Sequence, residues 1–381
     1  MAPIKLKPLS SSRQRILIKA GLTLVLSGLM LFQGACTTLN RRAVPAADIS
    51  PCHVIYDAGS SSTRLFIYQH TSSGWVKHSG PKTAALADPV RGIRGKTLAD
   101  TPAVVDDIVT ALDDIRNIGP PAKNGKPGWP GFDWKERCRV ESVMVLGTAG
   151  MRLAEQIDRV ATDALWSLLN QRLGSALERP VITRTLSGYE EGLFAWLAIR
   201  EGLDNDNFGV AEMGGASLQI TFPCARCEGS KMVRVKDRVV SVFSHSFLGW
   251  GQDEAWKKFG HSPACAHAAG LTNPDWQTSD CTAGAVEFEK VAAETESLVI
   301  NTDGLRWYLS DAFRYMQDND IDRFCRQGID GGFEKDSSCF RAVYLHNVIT
   351  ALGLPADAEA VDADWTLGAV ICTATQCLDT R

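Results

Sequence analysis

One strand–loop–strand pattern occurs twice in the chain, and the second copy lies 155 residues after the first. Asp57-Ala-Gly-Ser-Ser-Ser62 follows an apolar run, and so does Glu212-Met-Gly-Gly-Ala-Ser217. Glycine lets the backbone turn tightly and present N–H groups to an anion, and hydroxyls add further donors. An acid at the strand end cannot face an anion directly, so it must hold a bridging cation. A single Asp-x-Gly turn is usually an ordinary hairpin, but the duplication predicts two half-chains that clamp a phosphorylated ligand across a cleft.

Strands and helices alternate along the chain, which is typical of an α/β fold with sheets covered by helices. Short apolar runs predict strands at 54–56, 65–68, 143–146, 181–185, 208–211, 218–222, 239–243 and 366–371. Helical periodicity predicts one helix after Asp100, one ending near Leu173 and one over 189–200, and it makes 282–352 mostly helical.

The N-terminus resembles an export signal. The first 35 residues hold five basic residues and no acidic one, and the apolar run 20–32 precedes Gln33-Gly-Ala-Cys36. Thirteen helical residues rise only about 20 Å, whereas the hydrocarbon of a bilayer is roughly 30 Å thick. Small residues before Cys36 resemble the lipobox of bacterial lipoproteins, although Gln33 stands where that motif usually has Leu. We therefore expect an exported protein (periplasmic, an outer-membrane lipoprotein or secreted) that is lipidated on Cys36, the alternatives being a plain cleaved signal or an uncleaved short anchor.

Ten cysteines remain when Cys36 is set aside. An even number suits disulfides in an oxidising compartment. The simplest pairing is Cys52–Cys138, Cys224–Cys227, Cys265–Cys281, Cys325–Cys339 and Cys372–Cys377. Cys224 and Cys227 can also be read as half of a zinc site, but no second C-x-x-C motif completes it.

The charge balance excludes a nucleic-acid-binding surface, which needs a basic excess. The formal net charge is -4, and without the first 35 residues it is 35 basic minus 44 acidic, or -9. A chain this acidic binds a polyanion only through a bound cation and a few well-placed arginines. The sequence carries no signal for the oligomeric state.

Five segments, in order, resemble the signature regions of the ecto-apyrases, the nucleoside triphosphate diphosphohydrolases. They are Asp57-Ala-Gly-Ser-Ser-Ser-Thr-Arg64, Thr148-Ala-Gly-Met-Arg152, Leu186-Ser-Gly-Tyr-Glu-Glu-Gly192, Glu212-Met-Gly-Gly-Ala-Ser-Leu-Gln219 and His245-Ser-Phe-Leu-Gly-Trp-Gly251. The closing Trp365-Thr-Leu-Gly368 is also similar, so the resemblance spans about 54 to 370.

The resemblance implies the two-lobed fold of the actin/Hsp70/sugar-kinase superfamily, with the active site between RNase H-like lobes. We expect an export signal over 1–35, a tether over 36–51, a first lobe from 52–184 plus 362–381, and a second lobe from 185–361. The resemblance also implies hydrolysis of the terminal phosphate of nucleoside triphosphates, or also of diphosphates. This reaction is expected outside the cytoplasm and with Mg²⁺ or Ca²⁺.

The resemblance also suggests residue functions. Glu191 is similar to the family's catalytic base, whereas Glu190 is taken as structural because an acid in a first helical turn favours the helix dipole. Ser217 and Gln219 resemble the residues that position the attacking water, and their spacing puts both on one face of a strand. Asp57 and Glu212 are the expected cation ligands, through water. The expected phosphate ligands are Ser60, Ser61, Thr63, Arg64, Thr148, Ala149, Gly150, Arg152, Gly214, Gly215 and Ala216.

Three positions depart from the family pattern. Glu212 replaces the usual Asp, Tyr189 replaces Gln or Asn, and Ser62 stands where animal members often carry His. The longer side chain of Glu212 can shift a cation by about an ångström, enough to alter the rate or the choice of metal. Trp307, Tyr308 and Tyr344 are candidate platforms for a base, although a place in a helical core suits each of them better.

Two other functions remain open. An exopolyphosphatase or guanosine pentaphosphate hydrolase shares paired phosphate loops, but its substrates are cytosolic. A non-catalytic nucleotide-binding surface protein would explain Glu212 and Tyr189, but not the retention of Glu191, Ser217 and Gln219.

Overall fold

The computed structural model describes residues 49–93, 95–121, 127–203, 205–281, 304–315, 320–330 and 334–379. Residues 47–381 form one compact unit. The predicted export signal, Cys36 and the tether up to residue 48 lie outside the described residues. Within the described ranges, no helix is both long enough and apolar enough to cross a bilayer.

The first sheet is built from the N-terminal part of the chain. Its strands are β1 (Ser50–Ala58), β2 (Thr63–Thr71), β3 (Gly74–Thr83), β4 (Cys138–Gly147) and β5 (Ile182–Thr185). Their order is β3-β2-β1-β4-β5, with β1, β2 and β3 antiparallel and with β4 and β5 parallel to β1. Strand β1 is buried on both faces from Cys52 onward, which explains its continuous apolar run.

The second sheet repeats the central arrangement of the first. Its strands are β6 (Phe208–Met213), β7 (Ser217–Pro223), β8 (Lys231–Val235), β9 (Arg238–Leu248), β10 (Arg306–Asp311) and β11 (Glu359–Ala360), in the order β11-β10-β6-β7-β9-β8. Strands β6 and β7 form an antiparallel pair with β10 parallel to β6, just as β1 and β2 pair beside the parallel β4. The sequence repeat is therefore a structural repeat, and each acid–glycine loop joins the antiparallel pair of its sheet.

Helices cover both sheets. They are α1 (Asp88–Arg91), α2 (Thr101–Asp114), α3 (Trp134–Arg137), α4 (Ala149–Ile157), α5 (Arg159–Leu177), α6 (Gly188–Glu201), α7 (Gln252–Phe259), α8 (Ala269–Thr272), α9 (Ser338–Ala351) and α10 (Trp365–Thr375). The helix expected to end near Leu173 is two helices, because Asp158 has extended backbone and caps α5 by accepting from the Ala161 N–H.

Helices α6 and α10 lie between the two sheets and pack against each other. One apolar cluster joins Ile55 and Met144 of the first sheet to Phe208 and Tyr308 of the second through these helices. A Cβ at Gly368 would lie 1.8 Å from the carbonyl oxygen of Phe194, so only glycine permits this crossing. The two-lobed α/β fold therefore has a shared core at its centre.

The prediction of a last strand at 366–371 is wrong, because these residues lie in α10. The helix is buried between the sheets, and a short apolar run carries no periodicity that separates helix from strand. The helical prediction for 282–352 is also partly wrong. Residues 282–303 lie outside the described part, and Trp307 and Tyr308 lie on β10 rather than on a helix.

The three aromatic residues considered as base platforms are all core residues. Trp307 and Tyr308 are buried, and Tyr344 is fully buried on α9. The hydroxyl of Tyr344 donates to the carbonyl oxygen of Trp250 at 2.7 Å. None of the three presents a free ring face to the cleft.

Five disulfides link the cysteine pairs that neighbour pairing predicts. They are Cys52–Cys138, Cys224–Cys227, Cys265–Cys281, Cys325–Cys339 and Cys372–Cys377. Cys52–Cys138 spans 86 residues and ties the starts of β1 and β4 together, whereas Cys224–Cys227 spans only 3.

Removing the Cys52–Cys138 bond should destabilise the protein far more than removing Cys224–Cys227. The loss of unfolded-state constraint is about 4–5 kcal/mol for the long loop and about 2 kcal/mol for the short one. Denaturant unfolding of the two double Cys→Ala variants measures the difference, and equal losses would contradict the expectation.

Candidate active site

The first glycine loop connects β1 to β2. Gly59 N–H donates to the Ser62 carbonyl at 3.1 Å, which closes the turn and leaves Ser60 and Ser61 at its tip. Thr63 is buried, and its hydroxyl accepts from the Leu86 N–H at 3.2 Å. Thr63 therefore anchors the loop to Leu86, and its contact with phosphate stays a prediction.

The second glycine loop connects β6 to β7 with the same hydrogen bond. Gly214 N–H donates to the Ser217 carbonyl at 3.0 Å. The N-terminus of α7 holds the loop, because the N–H groups of Gln252 and Asp253 donate to the carbonyls of Gly214 and Gly215 at 3.0 and 2.8 Å. A Cβ at Gly215 would lie 2.5 Å from the hydroxyl oxygen of Ser60, so the two loops face each other at close range.

A third segment, Thr148-Ala149-Gly150, lies beside the first glycine loop. Thr148 follows β4, its N–H donates to the Ala58 carbonyl at 3.2 Å, and Ala149 begins α4. Gly150 packs against the backbone of Ser60, so it supports the first loop rather than facing the cleft.

The three segments enclose a small cavity of about 90 Å³. It is lined by Asp57, Gly59, Ser60, Ser61, Arg64, Thr148, Ala149, Glu191, Glu212, Gly214, Gly215, Ala216, Ser217, Gln252, Asp253, Asp311 and Trp365. It adjoins a larger cavity of about 790 Å³, with which it shares Asp57, Arg64, Glu212, Gln252, Asp311 and Trp365. We call these two spaces the inner and the outer cavity.

Glu191 forms one wall of the inner cavity from the first turn of α6. Nη1 of Arg152 lies 2.8 Å from its Oε2, an ion pair whose geometry is not that of an aligned hydrogen bond, so Oε2 has no hydrogen-bond donor among the described residues. Burial raises the pKa of Glu191 to about 6, although the charge of Arg152 opposes that rise. A buried carboxylate with this pKa can accept a proton near neutral pH.

Glu190, the neighbouring acid, is engaged in structure. Its carboxylate accepts from the backbone N–H of Ser187 at 2.9 Å in a capping box, and Nη2 of Arg184 lies 2.8 Å from its other oxygen.

Ser217 and Gln219 face the same side of β7. Nε2 of Gln219 donates to Oγ of Ser217 at 2.5 Å, and Nη2 of Arg152 donates to the same oxygen at 3.2 Å. Two donors fill the lone pairs of Ser217, so its own O–H group is left to donate toward the inner cavity. Arg152 therefore contacts Glu191 and Ser217 instead of reaching the glycine loops as a phosphate ligand.

The two strand-end acids meet at the edge of the inner cavity. Asp57 is paired with Nη1 of Arg64 at 2.8 Å, and burial raises its pKa to about 6 against the effect of Arg64. Burial, and then the charge of Glu191, raise the pKa of Glu212, and Oε2 of Glu212 has no hydrogen-bond partner in the described structure. These features fit a cation. Within the described residues no three His, Cys, Asp or Glu side chains are close enough to ligate one directly.

Asp311 is a further acid that the sequence did not point to. It ends β10 beside β6, and it has a left-handed backbone with φ of 55°. Its carboxylate lines both cavities, where desolvation raises its pKa to about 6 and Arg64 opposes the shift. Only the register of β10 against β6 places Asp311 here, and no local motif reveals that register.

The departures at Tyr189 and Ser62 have local explanations. The hydroxyl of Tyr189 donates to the Val242 carbonyl at 3.0 Å, and Nζ of Lys231 lies 4.3 Å from the ring centroid. Tyr189 therefore braces α6 against β9. Ser62 is buried beneath the first loop.

Comparison with solved structures shows the fold. The chain superimposes on the PPX-GPPA enzyme of Aquifex aeolicus with a TM-score of 0.54 and 12% identity, covering 84% of this chain and 99% of that one. An exopolyphosphatase from Cytophaga hutchinsonii gives 0.52 and 12%, with coverage of 86% and 98%. These likenesses concern the fold alone, and they confirm the predicted two-lobed actin-like architecture.

Sequence comparison gives relatives of higher identity. The chain is 29% identical over 227 residues to ectonucleoside triphosphate diphosphohydrolase 8 of Bos taurus, which is 53% of this chain and 42% of the relative. It is 30% identical over 221 residues to probable apyrase 3 of Arabidopsis thaliana, which is 54% of this chain and 41% of the relative. The matched part thus spans less than half of either relative.

A model of a protein family also matches this chain. The model of the GDA1/CD39 (nucleoside phosphatase) family matches residues 135–363, from α3 to the segment just before α10. Because this match extends over more than half of the chain, the protein belongs to the GDA1/CD39 (nucleoside phosphatase) family.

Proposed function

We propose that this protein hydrolyses the terminal phosphate of nucleoside triphosphates with a divalent cation, and that it acts outside the cytoplasm. The observation that carries the proposal is the inner cavity, where two glycine loops and Thr148-Ala149 surround a space with Glu191 on its wall. A volume of about 90 Å³ accommodates one phosphoryl group and excludes a nucleoside.

The terminal phosphoryl group is bound by the loop tips. Ser60, Ser61 and Thr148 supply hydroxyls, and the backbone N–H groups of Ala149 and of Gly215–Ala216 supply further donors. Such donors stabilise the charge on the equatorial oxygens during transfer.

The rest of the nucleotide occupies the outer cavity. This space has room for a nucleoside diphosphate moiety, and Arg314 and Arg323 line it, paired with Asp362 and Asp320 of the same lining. Tyr315 also lines the outer cavity, and more than half of its surface is exposed. The guanidinium carbon of Arg314 lies 4.5 Å from the centroid of the Tyr315 ring. We assign base stacking to Tyr315 in place of the three buried aromatic residues.

The attacking water lies between Ser217 and Glu191. Ser217 donates its O–H to the water, Gln219 holds Ser217, and Oε2 of Glu191 accepts a proton from the water. The water oxygen bonds to phosphorus, the bond to the bridging oxygen breaks, and its electron pair leaves with the nucleoside diphosphate. Positioning and electrostatics supply most of the rate in such transfers.

A cation fits beside Asp57 and Glu212, with Asp311 facing the same space. When bound, Mg²⁺ or Ca²⁺ neutralises phosphate oxygens and draws charge from the leaving group. Arg64 lines the inner cavity beside Asp57 and would add positive charge near the phosphate oxygens.

The five disulfides support activity in an oxidising compartment. We propose that the chain is exported and held at a membrane through lipid on Cys36 or an uncleaved N-terminal anchor.

Glu191→Gln should lower kcat for ATP hydrolysis by about 10²–10⁴-fold, because the proton acceptor is lost. Glu190→Gln is the matched control, since Gln also completes a capping box, and it should keep activity within a few-fold. Phosphate release with Mg²⁺ or Ca²⁺ measures both. Equal rates for the two variants would remove Glu191 from its assignment, and no release by the wild type from any nucleotide would overturn the proposed function.

The rate should fall on the acid side below about pH 6. Glu191 accepts the proton only when it is deprotonated, and burial raises its pKa. The acid limb of the pH profile of kcat/KM should therefore lie at a higher pH than the pKa of an ordinary glutamate. Arg152→Gln removes the charge that opposes this rise, so the limb should move to higher pH. A limb that stays in place in Arg152→Gln would show that another group, such as Asp57, controls it.

Glu212→Asp should change the choice of metal. The shorter side chain withdraws its oxygens from the cation, and Mg²⁺ tolerates altered distances less well than Ca²⁺ does. The Mg²⁺-supported rate should therefore fall several-fold more than the Ca²⁺-supported rate. Parallel titrations of activity and of metal affinity with each ion measure this, and an equal change with both ions would contradict it.

A further inference from the structure

A groove of about 900 Å³ lies beside the Glu191 and Ser217 wall of the inner cavity and shares no lining residue with the outer cavity. It runs between α4, α5, β5 and the start of α6. Its lining consists of Arg152, Glu155, Arg159, Asp163, Trp166, Ser167, Asn170, Gln171, Thr183, Arg184, Thr185, Leu186 and Ser187. We call it the rear groove.

The side chain of Arg152 links the rear groove to the inner cavity. Arg152 lines the groove, while its guanidinium contacts Glu191 at 2.8 Å and Ser217 at 3.2 Å, and both of these residues line the inner cavity. The same guanidinium donates to Ser246 Oγ at 3.3 Å and to the Leu186 carbonyl at 3.2 Å. All four contacts are made by the movable end of a long side chain, so a rotamer change can open a path between the two spaces.

The outer cavity meets a different part of the inner cavity. It shares six lining residues with the inner cavity, among them Asp57 and Glu212, and it contains neither Glu191 nor Ser217. If the nucleotide fills the outer cavity, the terminal phosphate is the innermost part of the substrate. After cleavage the nucleoside diphosphate lies between orthophosphate and the outer cavity, which we call the front of the site. Orthophosphate must therefore wait until the nucleoside diphosphate has left, or leave through the rear groove.

We propose that orthophosphate leaves through the rear groove and that Arg152 is the gate, an inference that rests on the proposed nucleotide hydrolysis. Before the reaction the Glu191 carboxylate holds Arg152 in place. Proton transfer from the attacking water makes Glu191 neutral, which removes one side of the ion pair. Orthophosphate, a dianion beside it, is then the stronger partner for the guanidinium, and the two move together toward the groove.

Three arginines line the groove, and each has an acidic partner that an anion can replace. Arg152, Arg159 and Arg184 pair with Glu191, Asp163 and Glu190, and Glu155 also lines the groove. Nε of Arg159 is 3.0 Å from Asp163 in an exposed pair, and exposed pairs of this kind are weak enough to exchange partners with a passing anion.

Groove-filling variants test the route. Thr183→Trp puts an indole into the groove from β5, whereas Ile182→Trp puts the same group at the start of that strand, where Ile182 is exposed and does not line the groove. In single turnovers of ATP, quench-flow measures bond cleavage and a fluorescent phosphate-binding sensor measures release. Thr183→Trp should cleave within about twofold of the wild type yet release phosphate at least about tenfold more slowly, and Ile182→Trp should change neither step. Release at the wild-type rate from Thr183→Trp would overturn the proposal.

The order of product release provides a second test without any substitution. In the unmodified protein, orthophosphate should appear while a fluorescent nucleoside diphosphate is still bound. Diphosphate release that precedes phosphate release would place the exit at the front and refute the rear route. If no nucleoside triphosphate is cleaved at all, it is the proposed function that fails, and the cleavage measurement shows this separately.

Discussion

The ion pair between Arg152 and Glu191 joins the parts of the protein that make up the site. Arg152 comes from α4 beside the first sheet, Glu191 from the central helix α6, and the same guanidinium binds Ser217 on the second sheet. Removing one partner of a buried pair leaves an uncompensated charge and costs about 3–5 kcal/mol. The same contact opposes the rise that burial causes in the pKa of Glu191, and it links the inner cavity to the rear groove.

The duplicated loop explains why the site lies between the sheets. Each loop connects an antiparallel pair, each is closed by one backbone hydrogen bond, and each acid ends the first strand of its pair. Because α6 and α10 share one core with both sheets, the loop tips meet with Gly215 against Ser60. An acidic chain can therefore present a compact set of N–H and hydroxyl donors to an anion, while its carboxylates stand behind them for a cation.

The sequence predicts this centre well, because the residues that form it are neighbours in short motifs. The glycine loops, the capping box before Glu191 and the alternation on β7 all depend on local spacing. The structure adds what local motifs do not contain where long-range packing decides. The apolar run of α10 looks like a strand because both sheets bury it, the Thr63 hydroxyl accepts from the Leu86 amide, and Asp311 reaches the site only through the register of β10.

The most direct test of the account is the fate of water oxygen in a single turnover of ATP in H₂¹⁸O with Mg²⁺. If the terminal phosphoryl group lies beside the water held by Ser217 and Glu191, one ¹⁸O atom should appear in orthophosphate and none in ADP. Label in ADP would place the attack on another phosphorus atom and contradict the assignment of the inner cavity.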